Sequence, residues 1–110
     1  MSQCNPSVLV SSEYFNISIC KCCKRIGLFY KNLLVGFDIK EFTHFCQGVA
    51  NLDFYSNCVY FPNAKPYVVI ETCHPDIQFG FEATEFEELK SILDESMLML
   101  EVHQALEIKK

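Results

Sequence analysis

The chain has 110 residues, half of them apolar and 21% charged, with four glycines and four prolines; that suits one domain, 1–110, and excludes a disordered, collagen-like or low-complexity chain. The net charge of −5 is uneven: residues 1–50 hold five basic against three acidic side chains, and residues 51–110 hold four against eleven. Binding a phosphate backbone takes many clustered cations, and only Lys21, Lys24 and Arg25 cluster, so nucleic acid is not an expected partner.

The N-terminus lacks the basic region and apolar stretch of a secretory signal. No apolar run approaches the roughly 20 residues of a membrane span, so no membrane contact is expected. Seven cysteines, an odd number without secretory context, point to reduced thiols in the cytoplasm. Residues 1–12 carry no strand or helix pattern and are expected to be flexible.

Residues 14–19 alternate with period two and predict a strand; residues 26–30 and 33–37 predict two more, joined by a tight turn at Lys31-Asn32. Asp38 followed by Glu41 reads as a capping box, with Phe37 stapled onto Phe42. Phe42, Phe45, Cys46 and Val49 then recur at helical spacing. The second half predicts strands over 58–61, 67–72 and 77–81. Their turns carry Pro62, Asn63, Pro66, Pro75 and Asp76. A longer helix follows to Leu106, with Thr84 and Glu87 as its capping box and Phe86, Leu89, Ile92 and Leu93 on one face.

Laying residues 13–49 over 57–93 aligns Gly36-Phe37-Asp38 with Gly80-Phe81-Glu82 and Glu41-Phe42 with Glu85-Phe86. The expected fold is therefore α+β: two β-β-β-α units related by internal duplication, forming antiparallel sheet with two helices packed on it. Gly36 and Gly80 read as structural strand glycines, since neither lies in a glycine-rich phosphate loop. Around Met97, Leu98, Met99 and Val102 the second helix is apolar on nearly every side. Either the first helix or a second subunit must cover it, and a homodimer is the commonest solution.

The residues with chemistry to offer are at Cys20-Lys21-Cys22-Cys23, between the first two predicted strands. The matching turn of the second half has no cysteine, so the fold does not need thiols there. A turn of this kind can aim two thiolates at one zinc ion. Cys20 and Cys23 have the right spacing, and Cys22 is expected to point elsewhere. Lys21, Lys24 and Arg25 would favour the thiolate form. Two ligands are too few, and Cys73 and His74, on the turn between the last two strands, are the candidates to complete the set. Cys4 and His103 are less constrained, while Cys46 and Cys58 read as core-facing. Ordinary reduced thiols and a reversible thiol–disulfide pair are the competing readings. His44 reads as a surface histidine. No serine-nucleophile elbow, P-loop or HExxH motif is present.

The succession of C-x-x-C, I-x-L, a turn asparagine and an aliphatic strand running into an acidic x-x-E-F is carried here by Cys20, Cys23, Ile26, Leu28, Asn32, Glu41 and Phe42. With the acidic, then leucine-rich closing helix, it resembles a family of small uncharacterised bacterial proteins across residues 14–106. The resemblance implies a domain of unknown function and supplies no activity, substrate or catalytic residue. Cys22 departs from the pattern, leaving open which two thiols act together.

Three functions compete on this reading. A non-enzymatic interaction or scaffold domain, self-associating through the long helix, is favoured by the apolar 97–102 segment. A zinc-binding or thiol-redox module would centre on Cys20–Cys23. A small-molecule pocket is suggested by ten Phe and five Tyr, most of which are needed to fill the core.

Overall fold

The computed structural model describes residues 6–62 and 65–108. Strands β1 (Pro6–Ser11), β2 (Phe15–Cys20), β3 (Ile26–Tyr30) and β4 (Leu33–Phe37) form an antiparallel meander in the order β1-β2-β3-β4. Helix α1 (Ile39–Ala50) and the single turn α2 (Phe54–Asn57) follow. Strands β5 (Val59–Tyr60), β6 (Pro66–Glu71) and β7 (Gln78–Phe81) make a second antiparallel sheet, and α3 (Ala83–Ile108) closes the described chain. No helix among the described residues is long and apolar enough to cross a membrane.

The mixed antiparallel-sheet and helix architecture is the one expected, but the strands divide into two sheets. Four strands precede α1 and three precede α3, so the halves differ in extent. The first sheet has a fourth strand, β5 has two residues, and α3 has 26 residues against the 12 of α1. The elements by themselves do not establish a duplication.

Residues 6–11, expected within a flexible segment, instead form β1, paired with β2 from Pro6 opposite Cys20 to Ser11 opposite Asn16. The register shifts between Val8 and Val10, and Leu9 and Val10 are consecutive buried residues beside an exposed Val8. A bulge breaks the period-two alternation on which strand recognition depends. Helix α2 was also not expected; Asp53 caps it, accepting from the Ser56 amide at 3.0 Å, and it buries Phe54.

Helix α1 begins as the sequence predicts. The Asp38 carboxylate accepts from the Glu41 amide at 2.7 Å and the Glu41 carboxylate from the Asp38 amide at 2.9 Å. Phe37 packs edge-on against Phe42 with centroids 5.7 Å apart. Helix α3 starts two residues before the expected Thr84–Glu87 box: the Glu82 carbonyl accepts from the Phe86 amide, and Glu85 accepts from the Glu82 amide at 3.1 Å. Strand β7 ends at Phe81, so the chain turns into the helix at once and Thr84 lies within its first turn.

Helix α3 contacts β1 and β2 of one sheet, β6 and β7 of the other, and α1. Phe15 of β2 meets Phe81 of β7 at 5.5 Å, and Tyr30 of β3 packs edge-on to Phe79 and Phe81. Phe15, Phe37, Phe42, Phe81 and Phe86 are fully buried. Each such ring removed from water stabilises the fold by roughly 2–3 kcal/mol.

Candidate metal centre

The β2–β3 connection is closed by two backbone hydrogen bonds. The Cys20 amide donates to the Arg25 carbonyl and the Lys24 amide to the Cys20 carbonyl, both at 2.8 Å. The second is a helix-like i to i+4 bond, so residues 20–23 curl through one turn. Lys24 leaves that turn at a φ of 60°, a left-handed conformation costing a non-glycine residue roughly 1–2 kcal/mol. The reversal brings the three thiols together. Cys20 Sγ and Cys22 Sγ are 3.3 Å apart, and the sulfurs of Cys20, Cys22 and Cys23 all lie within 4.8 Å of one another. A zinc ion with Zn–S bonds of about 2.3 Å needs tetrahedral sulfurs about 3.8 Å apart, a spacing that lies between the 3.3 Å contact and the 4.8 Å bound. Cys22 therefore belongs to the cluster and does not point away as the C-x-x-C spacing suggested. A wound turn folds the intervening side chain in where an open loop would let it diverge.

Cys20 is buried, and Cys22 and Cys23 are exposed, so the centre is anchored at the sheet end and open on one side. Lys21, Lys24 and Arg25 are exposed beside it. Their charge would offset the negative charge that accumulates if several thiolates bound one divalent ion.

The candidates for completing the set have separate partners. His74 Nε2 donates to the Gly36 carbonyl at 3.0 Å, and Cys73 Sγ approaches the same oxygen at 3.7 Å. Gly36 pairs with Gly27, which pairs with Ser18, so this contact sits two strand spacings, about 9.6 Å, from β2. Among the described residues, neither joins the group in which all ligand atoms lie within 4.8 Å. Cys46 is buried on α1, where burial and then Asp94 push its thiol up to about 12, holding it protonated. Cys58 ends α2, its sulfur 3.8 Å from the Tyr55 carbonyl. His103 is half-buried on α3, and Cys4 lies outside the described residues.

Residues 3–109 match a family of unknown function, DUF6686. The chain belongs to that family. Comparison with curated proteins and with solved structures returns no match. The DUF6686 match spans both sheets, α3 and the cysteine turn, so the cluster lies inside the family domain.

A second feature of this DUF6686 chain escaped sequence reading. Helix α1 and strand β6 flank a cavity of about 510 Å³, lined by Lys40, Glu41, His44 and Phe45 on one side and Thr72 and Cys73 on the other. His44 is exposed at this groove. Burial and the neighbouring Glu41 raise the Cys73 thiol, so it lacks the activation of a nucleophile. The groove joins residues about 30 apart in sequence, and no local pattern announces it. On α3, Leu100 is buried and Met97 packs against the core, whereas Leu98, Met99 and Val102 are exposed, Leu98 by 64%. Helix α1 contacts α3 but leaves those three side chains uncovered.

Proposed function

We propose that the chain is a non-catalytic, thiolate metal-binding module whose centre is the Cys20, Cys22 and Cys23 turn. The observation carrying this reading is the grouping of three sulfurs within 4.8 Å on a turn closed at both ends. Zinc suits such a site, because soft thiolates select it and no accompanying residues form a redox cofactor motif. Chain reversal and ligand placement are the same event here, so a bound ion would lock β2 to β3 and stabilise the fold. The 3.3 Å Cys20–Cys22 contact exceeds the bond length of about 2.05 Å, yet supports disulfide formation under oxidation as a competing fate of the same atoms.

Protein purified under reducing conditions without chelator is expected to carry one zinc per chain by elemental analysis. Replacing Cys20 and Cys23 with serine should remove the zinc and lower Tm; Cys22→Ser should weaken binding as well, because Cys22 lies within the cluster. Metal-free wild-type protein that takes up no added zinc would overturn the reading. A second reading, self-association through α3, is supported by the exposed Leu98, Met99 and Val102, and is compatible with the first.

A further inference from the structure

We propose that the groove between α1 and β6 binds an extended peptide, which adds to the open edge of β6 and sets one apolar side chain over Gly48. Strand β5 pairs with β6 only at Pro66 and Tyr67, because upstream of Val59 the chain turns away into α2. Residues 68–71 then pair with β7 on one side, and among the described residues no strand pairs with them on the other. Residues 69–73 all line the groove. The face of a strand contributes every second residue, so an unbroken run means that β6 presents its edge. That run spans about 13 Å at 3.3 Å per residue, and α1 rises about the same distance from Lys40 to Val49. The groove is thus as long as a short stretch of extended chain, and its volume of about 510 Å³ is that of a formed binding pocket.

Gly48 supplies a separate argument. It lies in the interior of α1, where glycine weakens a helix relative to alanine. A Cβ at this position would meet nothing within 4 Å, so no packing in the fold requires glycine there. Gly48 lines the groove together with the buried Phe45 and Val49 and, across from them, the buried Ile70. Its missing side chain leaves an apolar recess, and close approach of a ligand to backbone is one of the uses of glycine. Side chains of an added strand alternate. One apolar residue therefore enters the recess, and its neighbours turn outward toward the exposed Lys40, His44 and Glu71 at the rim. Main-chain hydrogen bonds to β6 give the affinity, and the recess over Gly48 gives the choice of side chain.

A library of short peptides alternating apolar and polar positions, panned against the full, reduced chain, tests this. The best binder should be a micromolar ligand by fluorescence anisotropy. Gly48→Leu fills the recess and should weaken that peptide at least about 10-fold. The same variant should raise Tm by about 4 °C, since leucine is the better helix former, so lost binding would not reflect unfolding. N-methylation of the peptide, one amide at a time, should cost about 10-fold at every second position and little between, the pattern of a strand ladder. The methylation scan uses the wild-type chain and decides the matter even if Gly48→Leu is less stable. A library that yields no binder, binding that a folded Gly48→Leu leaves intact, or methylation losses without period two each overturn the proposal. So does a wild-type dimer that Gly48→Leu converts to monomer, which places a second copy in the groove instead.

Discussion

Cys46 and Tyr30 are held protonated by different surroundings. Burial on α1, reinforced by Asp94, disfavours the Cys46 thiolate. Tyr30 is partly desolvated, and its hydroxyl donates to Glu85 at 2.6 Å, so ionisation would set an anion against a carboxylate. In both cases the folded protein holds the proton more tightly than the unfolded chain. Their stabilisation is therefore complete at neutral pH and declines above the unfolded values of about 9 for Cys46 and 10 for Tyr30. Tm measured at successive pH values should fall through this alkaline window, and Tyr30→Phe should reduce the slope. Tyr30→Phe should also cost roughly 1–3 kcal/mol at pH 7, because it deletes the charge-assisted bond to Glu85. The grouping of the thiols in the cysteine turn was only half legible. Residue type and spacing set Cys20 beside Cys23, but the position of Cys22 depends on a backbone hydrogen bond from Lys24 to Cys20 that sequence spacing does not encode.

At the level of elements, the start of α1 is the most completely specified junction in the chain. Asp38 and Glu41 exchange bonds with each other's amides while Phe37 clamps Phe42. Asp38→Ala leaves the Glu41 amide without its partner and should destabilise the protein by about 1 kcal/mol in urea denaturation. Loss of less than a few tenths would show that solvent replaces the cap. Strands β2, β3 and β4 were readable because alternation and turn chemistry agree over their whole length. Strand β1 was not, since its bulge puts Leu9 and Val10 on the core side together. Helix α2 is too short to display a period. The first turn of α3 was misplaced because both Glu82 and Thr84 precede a glutamate by three residues, and the end of β7 decides between them. The groove between α1 and β6 is a product of packing and has no counterpart in local sequence.

Across the whole molecule, α3 runs against both sheets and against α1. Its 26 residues extend about 39 Å at 1.5 Å per residue, most of the protein's 52 Å long dimension. Leu98 and Val102, four residues apart and both exposed, lie on one stripe of its distal half. If that stripe meets a second copy, light scattering at micromolar concentration should give a dimer, and replacing Leu98 and Val102 together with glutamate should give a folded monomer. Wild-type protein that scatters as a monomer would remove the second reading. The N-terminal half of α3 has another consequence. Glu88 accepts from the Ser12 hydroxyl at 2.5 Å and from the Tyr14 amide at 3.0 Å, so the connection between β1 and β2 is fastened by a residue more than 70 positions later in the chain. On the ribosome, the meander β1–β4 has all its neighbouring strands early, yet its inner surface waits for the last helix to be made. Until α3 emerges, Phe15, Ile17 and Leu28 lack the layer that covers them. The growing chain therefore passes through a stage in which a paired but uncovered sheet is exposed to chaperones and to other nascent chains.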